Sequence, residues 1–176
     1  MVIYLKKSIK LIAGIFIAGL LFVFSTFWYF SSGLPDYKKL ANYKPPISSR
    51  VHSGEGNLIA EYALQKRLFI PYDSIPKKVV FSFLSAEDKN FFSHPGVDAK
   101  SITRAIIKNV KNIFSNKRLE GASTITQQVA KNFLLTNEVS IKRKIKEAIL
   151  AFRIERAYSK KRIMELYLNQ IYLGEG

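Results

Sequence analysis

The sequence predicts a mainly α protein: an amino-terminal transmembrane helix, a small β-hairpin region and then an α-helical domain. Three observations predict it. Leu11 to Phe30 reads LIAGIFIAGLLFVFSTFWYF, twenty residues in which only Ser25 and Thr26 are polar. Short apolar runs flank SGEGN at 53–57, which has turn chemistry. From Pro76 onward apolar residues recur at helical spacing, and after Tyr72 the pattern is almost wholly α.

The elements follow in order. Twenty helical residues rise about 30 Å, enough to cross a bilayer core. Trp28 and Tyr29 stand at the outer end, where amphipathic rings favour the interface. Lys6, Lys7 and Lys10 precede the run, as they would in a secretory signal. The apolar stretch is longer than such a signal needs, and no A-x-A site follows, so an uncleaved anchor is expected. Its amino terminus is then cytoplasmic and the remainder exported, although Lys38, Lys39 and Lys44 lie beyond the span. The expected divisions are a tail at 1–10, an anchor at 11–30, a stalk at 31–46, a β-hairpin linker region at 47–72 and a helical domain at 73–176. The stalk, SSGLPDYKKLANYKPP, holds three of the six prolines. Asp73 and Ser74 can cap a helix whose first turn takes Pro76, running through VVFSFLSAEDKNFF to near His94–Gly96. Further helices are expected at about 99–114, 124–135, 141–158 and 160–173. The chain stops at YLGEG, just after a helix-stop glycine, and is expected to be a fragment of a longer protein.

The chain has 176 residues, with 28 Lys+Arg against 13 Asp+Glu and a net charge of +15. This excess suits anionic head groups or a phosphorylated substrate. Nucleic acid is the weakest partner for an exported, anchored body. Cysteine is absent, so the exported part relies on its core alone.

Three stretches can carry chemistry. In GASTITQQVAKNFLL, Ile125, Val129 and Phe133 make one stripe at about 100° per residue, while Thr124, Gln128 and Lys131 make another. Threonine and glutamine offer donors and acceptors to a sugar, and the lysine suits an anion. The same residues also read as a capped amphipathic helix with a polar outer face. In AEDKNFFSHPG, Glu87 and Asp88 are neighbours and point about 100° apart. Repulsion and partial burial favour a protonated carboxylate, which suits a general acid or base. The plainer alternative is a solvated helix end with a hydrogen-bonded His94. In SIKRKIKEAILAFRIERAY, Arg143, Lys144 and Glu147 share the side opposite an Ile141–Ile145–Ile149 stripe. They read either as ordinary surface ion pairs or as a carboxylate held between cations that also meet phosphate oxygens. Ser74-Ile75-Pro76-Lys77 matches the S-x-x-K of acyl enzymes, but Pro76 interrupts it and no S-D-N or K-T-G follows. Two histidines and no cysteine argue against zinc.

Together AEDKNFFSHPG, GASTITQQVAKN, RKIKEAI and RIMELYLNQIYLG, in that order over about 90 residues, resemble one family. It is the peptidoglycan glycosyltransferase domain of class A penicillin-binding proteins (glycosyltransferase family 51). The resemblance implies a lysozyme-like helical fold and a membrane enzyme that polymerises lipid II with inversion, releasing undecaprenyl pyrophosphate. It implies Glu87 as the acid/base carboxylate, with Asp88, Phe91 and His94 shaping its surroundings. Ser123, Thr124, Gln127 and Gln128 belong to the motif that lines the donor cleft, and Lys131 meets the pyrophosphate. Glu147 is the second carboxylate, beside Arg143 and Lys144. Tyr167 and Asn169 mark a fourth motif with a structural role.

The implied partners are lipid II, a lipid-linked glycan chain, the bilayer and other cell-wall synthesis and division proteins, without nucleic acid. The implied place is the bacterial inner membrane, single-pass, with the catalytic part outside. A divalent cation, magnesium or manganese, is compatible with the chemistry, and no organic cofactor is expected. Two departures stand out. The run at 137–140 is NEVS, so Val139 stands where the family commonly has arginine and one cation is missing. The family's domain also continues past the fourth motif, and a transpeptidase domain normally follows. A non-catalytic membrane scaffold and a lysozyme-like glycan cleaver are the competing readings.

Overall fold

The computed structural model describes residues 2–43, 49–62, 68–113, 115, 117, 120–136 and 138–171. The fold is mainly helical, as expected. Helix α1 (Val2–Ser31) is longer than the apolar run, because the basic tail continues the same helix. Its segment Lys10–Ser31 is long and apolar enough to cross a membrane, and none of it is buried in the body.

The expected stalk is a packed connector over its described part. Asp36 caps a 3₁₀ turn at Tyr37–Leu40 by accepting from the Lys38 N–H. Leu40 is buried, and Leu34, Tyr37 and Tyr43 pack against the core. The Tyr158 hydroxyl donates to the Tyr37 carbonyl at 3.0 Å, and Arg162 donates to that of Leu40 at 3.2 Å. Arg153 donates to the carbonyl and hydroxyl of Ser31, joining the end of α1 to the body. Residues 44–46 of the expected stalk lie outside the described part.

The hairpin is present as β1 (Ser49–His52) antiparallel to β2 (Leu58–Tyr62), pairing Ser49 with Tyr62 and Val51 with Ala60. The register shifts at Val51/His52, and Gly56 takes the left-handed φ of 85° that the turn requires. Residues 47–48 and 63–67 of the expected hairpin region lie outside the described residues.

Helix α2 (Lys77–Glu87) departs from expectation at both ends. Pro76 is its N-cap rather than a first-turn residue, and Tyr72–Ser74 form a separate 3₁₀ turn. It stops at Glu87, well before His94, because Asp88 takes φ −155° and turns its carboxylate inward. Helices α3 (Ala99–Ile113), α4 (Ile125–Leu134), α5 (Ile141–Ala157) and α6 (Lys160–Gln170) fall close to their expected spans. Ser140 and Ser159 cap the last two by accepting from Arg143 and Arg162 N–H groups. The tail of the last expected helix, at 172–173, lies outside the described residues.

The core is built where α4, α5 and α6 meet. Ile125, Val129, Leu150, Ile154, Ile163 and Leu166 are fully enclosed there, and Val80, Leu84 and Phe91 close it from the α2 side. Helix α5 is covered on two sides, by α4 and by α1, which decides the fate of its charged residues.

Candidate active site

Three chain segments converge on one polar cleft. The end of α2 supplies Glu87, α4 supplies Gln128 and Lys131 with Ser123 just before it, and the first turns of α5 supply Arg143, Lys144 and Glu147. The cleft has a volume of about 650 Å³, and Arg104, Glu120 and Gly121 complete its wall. Glu87 also borders an adjoining cavity of about 390 Å³, with Asp98, Ser101, Arg104 and Lys108 around it.

Glu87 and Asp88 part company at the helix end. Glu87 stays exposed, and its Oε2 accepts from Gln128 Nε2 at 2.8 Å. Asp88 is buried and accepts from His94 Nε2 at 2.9 and 3.0 Å and from the Ile125 N–H at 3.1 Å. That N–H belongs to the first residue of α4, so the carboxylate meets the positive end of the helix. His94 Nδ1 accepts from the Gly96 N–H at 3.1 Å, which leaves Nε2 as the nitrogen that carries the proton toward Asp88. Phe91 is wholly buried beneath this pair, edge-on to His94. Phe91 and His94 therefore support the end of α2 from below and do not line the cleft.

The start of α4 corrects the expected polar stripe. Thr124 and Gln127 are buried and form a capping box: each side chain bonds the other's backbone N–H. The Thr124 hydroxyl also donates to the Gly96 carbonyl at 2.6 Å. Thr124 has extended φ/ψ of −77° and 163°, so helical phase does not place it beside Gln128. Of that stripe, Gln128 and Lys131 remain half-buried and reach the cleft. Among the described residues no carboxylate pairs with Lys131.

Glu147 corrects the surface ion-pair reading. It is 2% exposed, with Oε1 bonded by Arg143 Nη1 and Oε2 by Lys144 Nζ at 2.8 Å. Lys144 Nζ also donates to Ser123 Oγ at 2.5 Å, linking α5 to the start of α4. Both Glu147 oxygens are thus taken by cations. Among the described residues no group of three or more acidic or histidine side chains could hold a metal.

Several contributors escaped the sequence reading. Arg104 and Lys108 on α3 hold Glu120, Lys108 at 2.5 Å, and this ion pair keeps the Glu120 carboxyl below its usual range. Their i, i+4 spacing opposite a lone acid in a basic loop was the available signal. Asn109 clamps the Glu120 backbone through its N–H and carbonyl at 2.7 and 3.0 Å. Behind the cleft, Glu155 Oε1 accepts from Thr126 Oγ1 at 2.5 Å and Lys160 Nζ at 2.7 Å. Lys160 also donates to the His94 carbonyl at 2.8 Å and sits 4.5 Å above the Phe91 ring. No helical period announces a network drawn from four segments.

The fourth motif packs and ties. Tyr167 is buried, and burial, with the charge of Glu87 added, raises its phenol far above the ordinary value. Asn169 bonds both backbone groups of Ile70, at 2.8 and 2.9 Å.

A helical body with paired carboxylates in a cation-lined cleft matches a known class. The chain belongs to the transglycosylase family, whose description matches residues 55–176. Among its relatives is a penicillin-binding protein 1A from Rickettsia felis, 51% identical over 168 residues. Others of the same name come from Aquifex aeolicus, 47% identical over 175 residues, and Pseudomonas aeruginosa, 46% over 159. The alignments cover 96%, 98% and 90% of this chain but 21%, 23% and 19% of those relatives. The chain therefore spans about one fifth of their length.

Proposed function

We propose that this chain is the peptidoglycan glycosyltransferase portion of a longer cell-wall enzyme and joins lipid-linked disaccharide units of the lipid II type. One observation carries the reading: Glu87 borders the same cleft as Lys131 and the Arg143–Glu147–Lys144 cluster. Glu87, exposed and oriented by Gln128, takes the proton of the acceptor sugar's 4-hydroxyl. The resulting oxygen bonds to the anomeric carbon of the donor. The bond from that carbon to the lipid diphosphate breaks, and the diphosphate leaves with the electron pair. A single displacement of this kind inverts the configuration.

Charge then accumulates on the leaving diphosphate. Lys131 is free to meet it, and Lys144, about half exposed, can reach it while anchored to Glu147. Glu147 holds Arg143 and Lys144 in place; being enclosed by both cations, it acts through them. Ser123 fixes Lys144 from the other side. A divalent ion, magnesium or manganese, would bind through the diphosphate oxygens. The apolar segment of α1 supports a membrane anchor; on this reading its amino terminus lies in the cytoplasm and the cleft outside, where lipid-linked substrate and cell-wall partners meet it.

In the full chain, Glu87→Gln is expected to lower polymer yield from lipid-linked precursor by at least about two orders of magnitude without changing helix content. Undiminished yield overturns the assignment. Supplying finished glycan instead, and finding it shortened, would mark a cleaving enzyme.

A further inference from the structure

Two acids in the cleft wall each hold a pair of cations, and the two clusters differ in how tightly they are closed. Glu147 is buried, and its two oxygens are bonded by Arg143 and Lys144. Arg143 is engaged further, because its Nε donates to the Glu138 carbonyl. The Glu120 cluster is open. Arg104 and Lys108 stand one helical turn apart on α3, and both side chains are 59% exposed. Among the described residues Glu120 is the sole partner of each. Lys108 Nζ lies 2.5 Å from Glu120 Oε2, whereas Arg104 approaches Oε1 through Nε alone, at 3.5 Å and without a hydrogen bond. Both Arg104 Nη groups are without a partner among the described residues.

The loop does not need the Glu120 carboxylate to stay on α3. Asn109 holds the Glu120 backbone by its N–H and its carbonyl, at 2.7 and 3.0 Å. An exposed ion pair adds little to stability. The carboxylate therefore acts chiefly on the two cations it touches. Of these, Lys108 borders the smaller cavity only, while Arg104 lines both that cavity and the cleft, as Glu87 does. The cleft, about 650 Å³, is roughly 11 Å across if taken as a sphere, so a diphosphate inside it is within reach of side chains from every wall.

We propose that Arg104 is a further catalytic residue, a cation that turns from Glu120 to the leaving diphosphate while Lys108 keeps Glu120 in place. This rests on the glycosyltransferase reading above. As the bond to the anomeric carbon breaks, its electron pair passes to the diphosphate oxygen and the leaving group gains negative charge. Lys131 and Lys144 meet part of that charge. The planar Arg104 fork adds two parallel N–H donors to non-bridging oxygens, with no proton transferred, a geometry that lysine does not offer. Glu120 is the competing anion: it holds Arg104 at the wall until a more highly charged group arrives.

The test measures binding of inorganic diphosphate to the full chain in detergent by calorimetry, which needs no turnover. Arg104→Gln is expected to weaken binding about tenfold, and Arg104→Lys to weaken it less. Glu120→Gln removes the competitor and is expected to tighten binding about threefold. Lys111→Gln makes the same change of charge on α3 outside both cavities and is expected to leave binding unaltered. With lipid-linked precursor, Arg104→Gln is expected to lower kcat more than it raises KM, because the lost contact strengthens as the bond breaks. Unchanged binding in Arg104→Gln, or equal weakening in Lys111→Gln, overturns the proposal. Weaker binding in Glu120→Gln does so too, since the acid is then a support and not a competitor. Diphosphate binding that depends on Arg104, in a chain that makes no polymer from any lipid-linked precursor, upholds the site and refutes the glycosyltransferase reading alone.

Discussion

Gly96 is the point where the loop after α2 rests on α5, and its replacement by alanine isolates that contact. Its φ is +106°, and a Cβ there would stand 2.8 Å from both the carbonyl carbon and oxygen of Ala151 and 3.1 Å from Glu155 Cγ. The left-handed backbone costs a non-glycine residue roughly 1–2 kcal/mol. Crowding against α5 backbone, which cannot yield as a flexible side chain could, adds roughly 1–3 kcal/mol. Reduced freedom of the unfolded chain offsets about 0.4–1 kcal/mol. The net loss is about 1–4.5 kcal/mol, or a fall in Tm of roughly 2–18 °C for a chain of this size. Thermal unfolding followed by far-ultraviolet circular dichroism in detergent measures it. Gly33→Ala supplies the control for strain alone, since its φ is +76° with nothing within 4 Å. Gly121→Ala has neither strain nor contact and is expected to be neutral or slightly stabilising. If Gly96→Ala unfolds no earlier than Gly33→Ala, the loop is not seated on α5 and the account of how Asp88 and His94 are held fails.

Two further outcomes are expected. Burial alone would raise the Asp98 carboxyl, but bonds from Ser101, Asn90 and the Ser101 and Lys100 N–H groups outweigh it and hold it well below its ordinary 3.8. Its stabilising contribution is therefore complete above that ordinary value and lost as pH falls below it, so Asp98→Asn should flatten the acid limb of a stability–pH profile while lowering stability at neutral pH. Lys160→Met leaves the Glu155 carboxylate, 7% exposed, without its cation and is expected to cost about 3–5 kcal/mol in denaturant unfolding, most of it recovered when Glu155→Leu is added.

The helices were legible because their apolar periods are strong and serine, threonine or glycine punctuates them. What periodicity could not supply was which faces are covered. Glu147 lies opposite the Ile145–Ile149 stripe and so looked solvent-facing. Yet α5 packs α1 on that stripe and α4 elsewhere on its surface, and Glu147, opposite the stripe, is buried. Thr124 failed for a different reason: a capping residue is not helical, so a wheel drawn through it has no meaning there. Asp88 ended α2 early because a carboxylate bonded to His94 and the Ile125 N–H outweighs the helical preference of FSFLSAEDKNFF, and Ile125 is far from it in sequence. The carboxylates, the lysine and the cation cluster of the cleft were all nameable from the four motifs, whereas Arg104, Glu120 and the Glu155–Lys160 network depend on tertiary placement.

The bond between Arg153 and Ser31 removes a swivel. A helix that leaves the membrane through a loose linker can lean without disturbing what it carries. Here the last turn of α1 is fastened to α5, and Val23 and Phe27 line a shared apolar groove with Ile145, Ile149 and Phe152. A helix spanning a thinner bilayer tilts to hide its surplus apolar length. Any such lean of α1 turns α5 with it, and with α5 the cations at its start. On the membrane-anchored reading proposed above, bilayer thickness would set the attitude of the cleft toward the lipid surface.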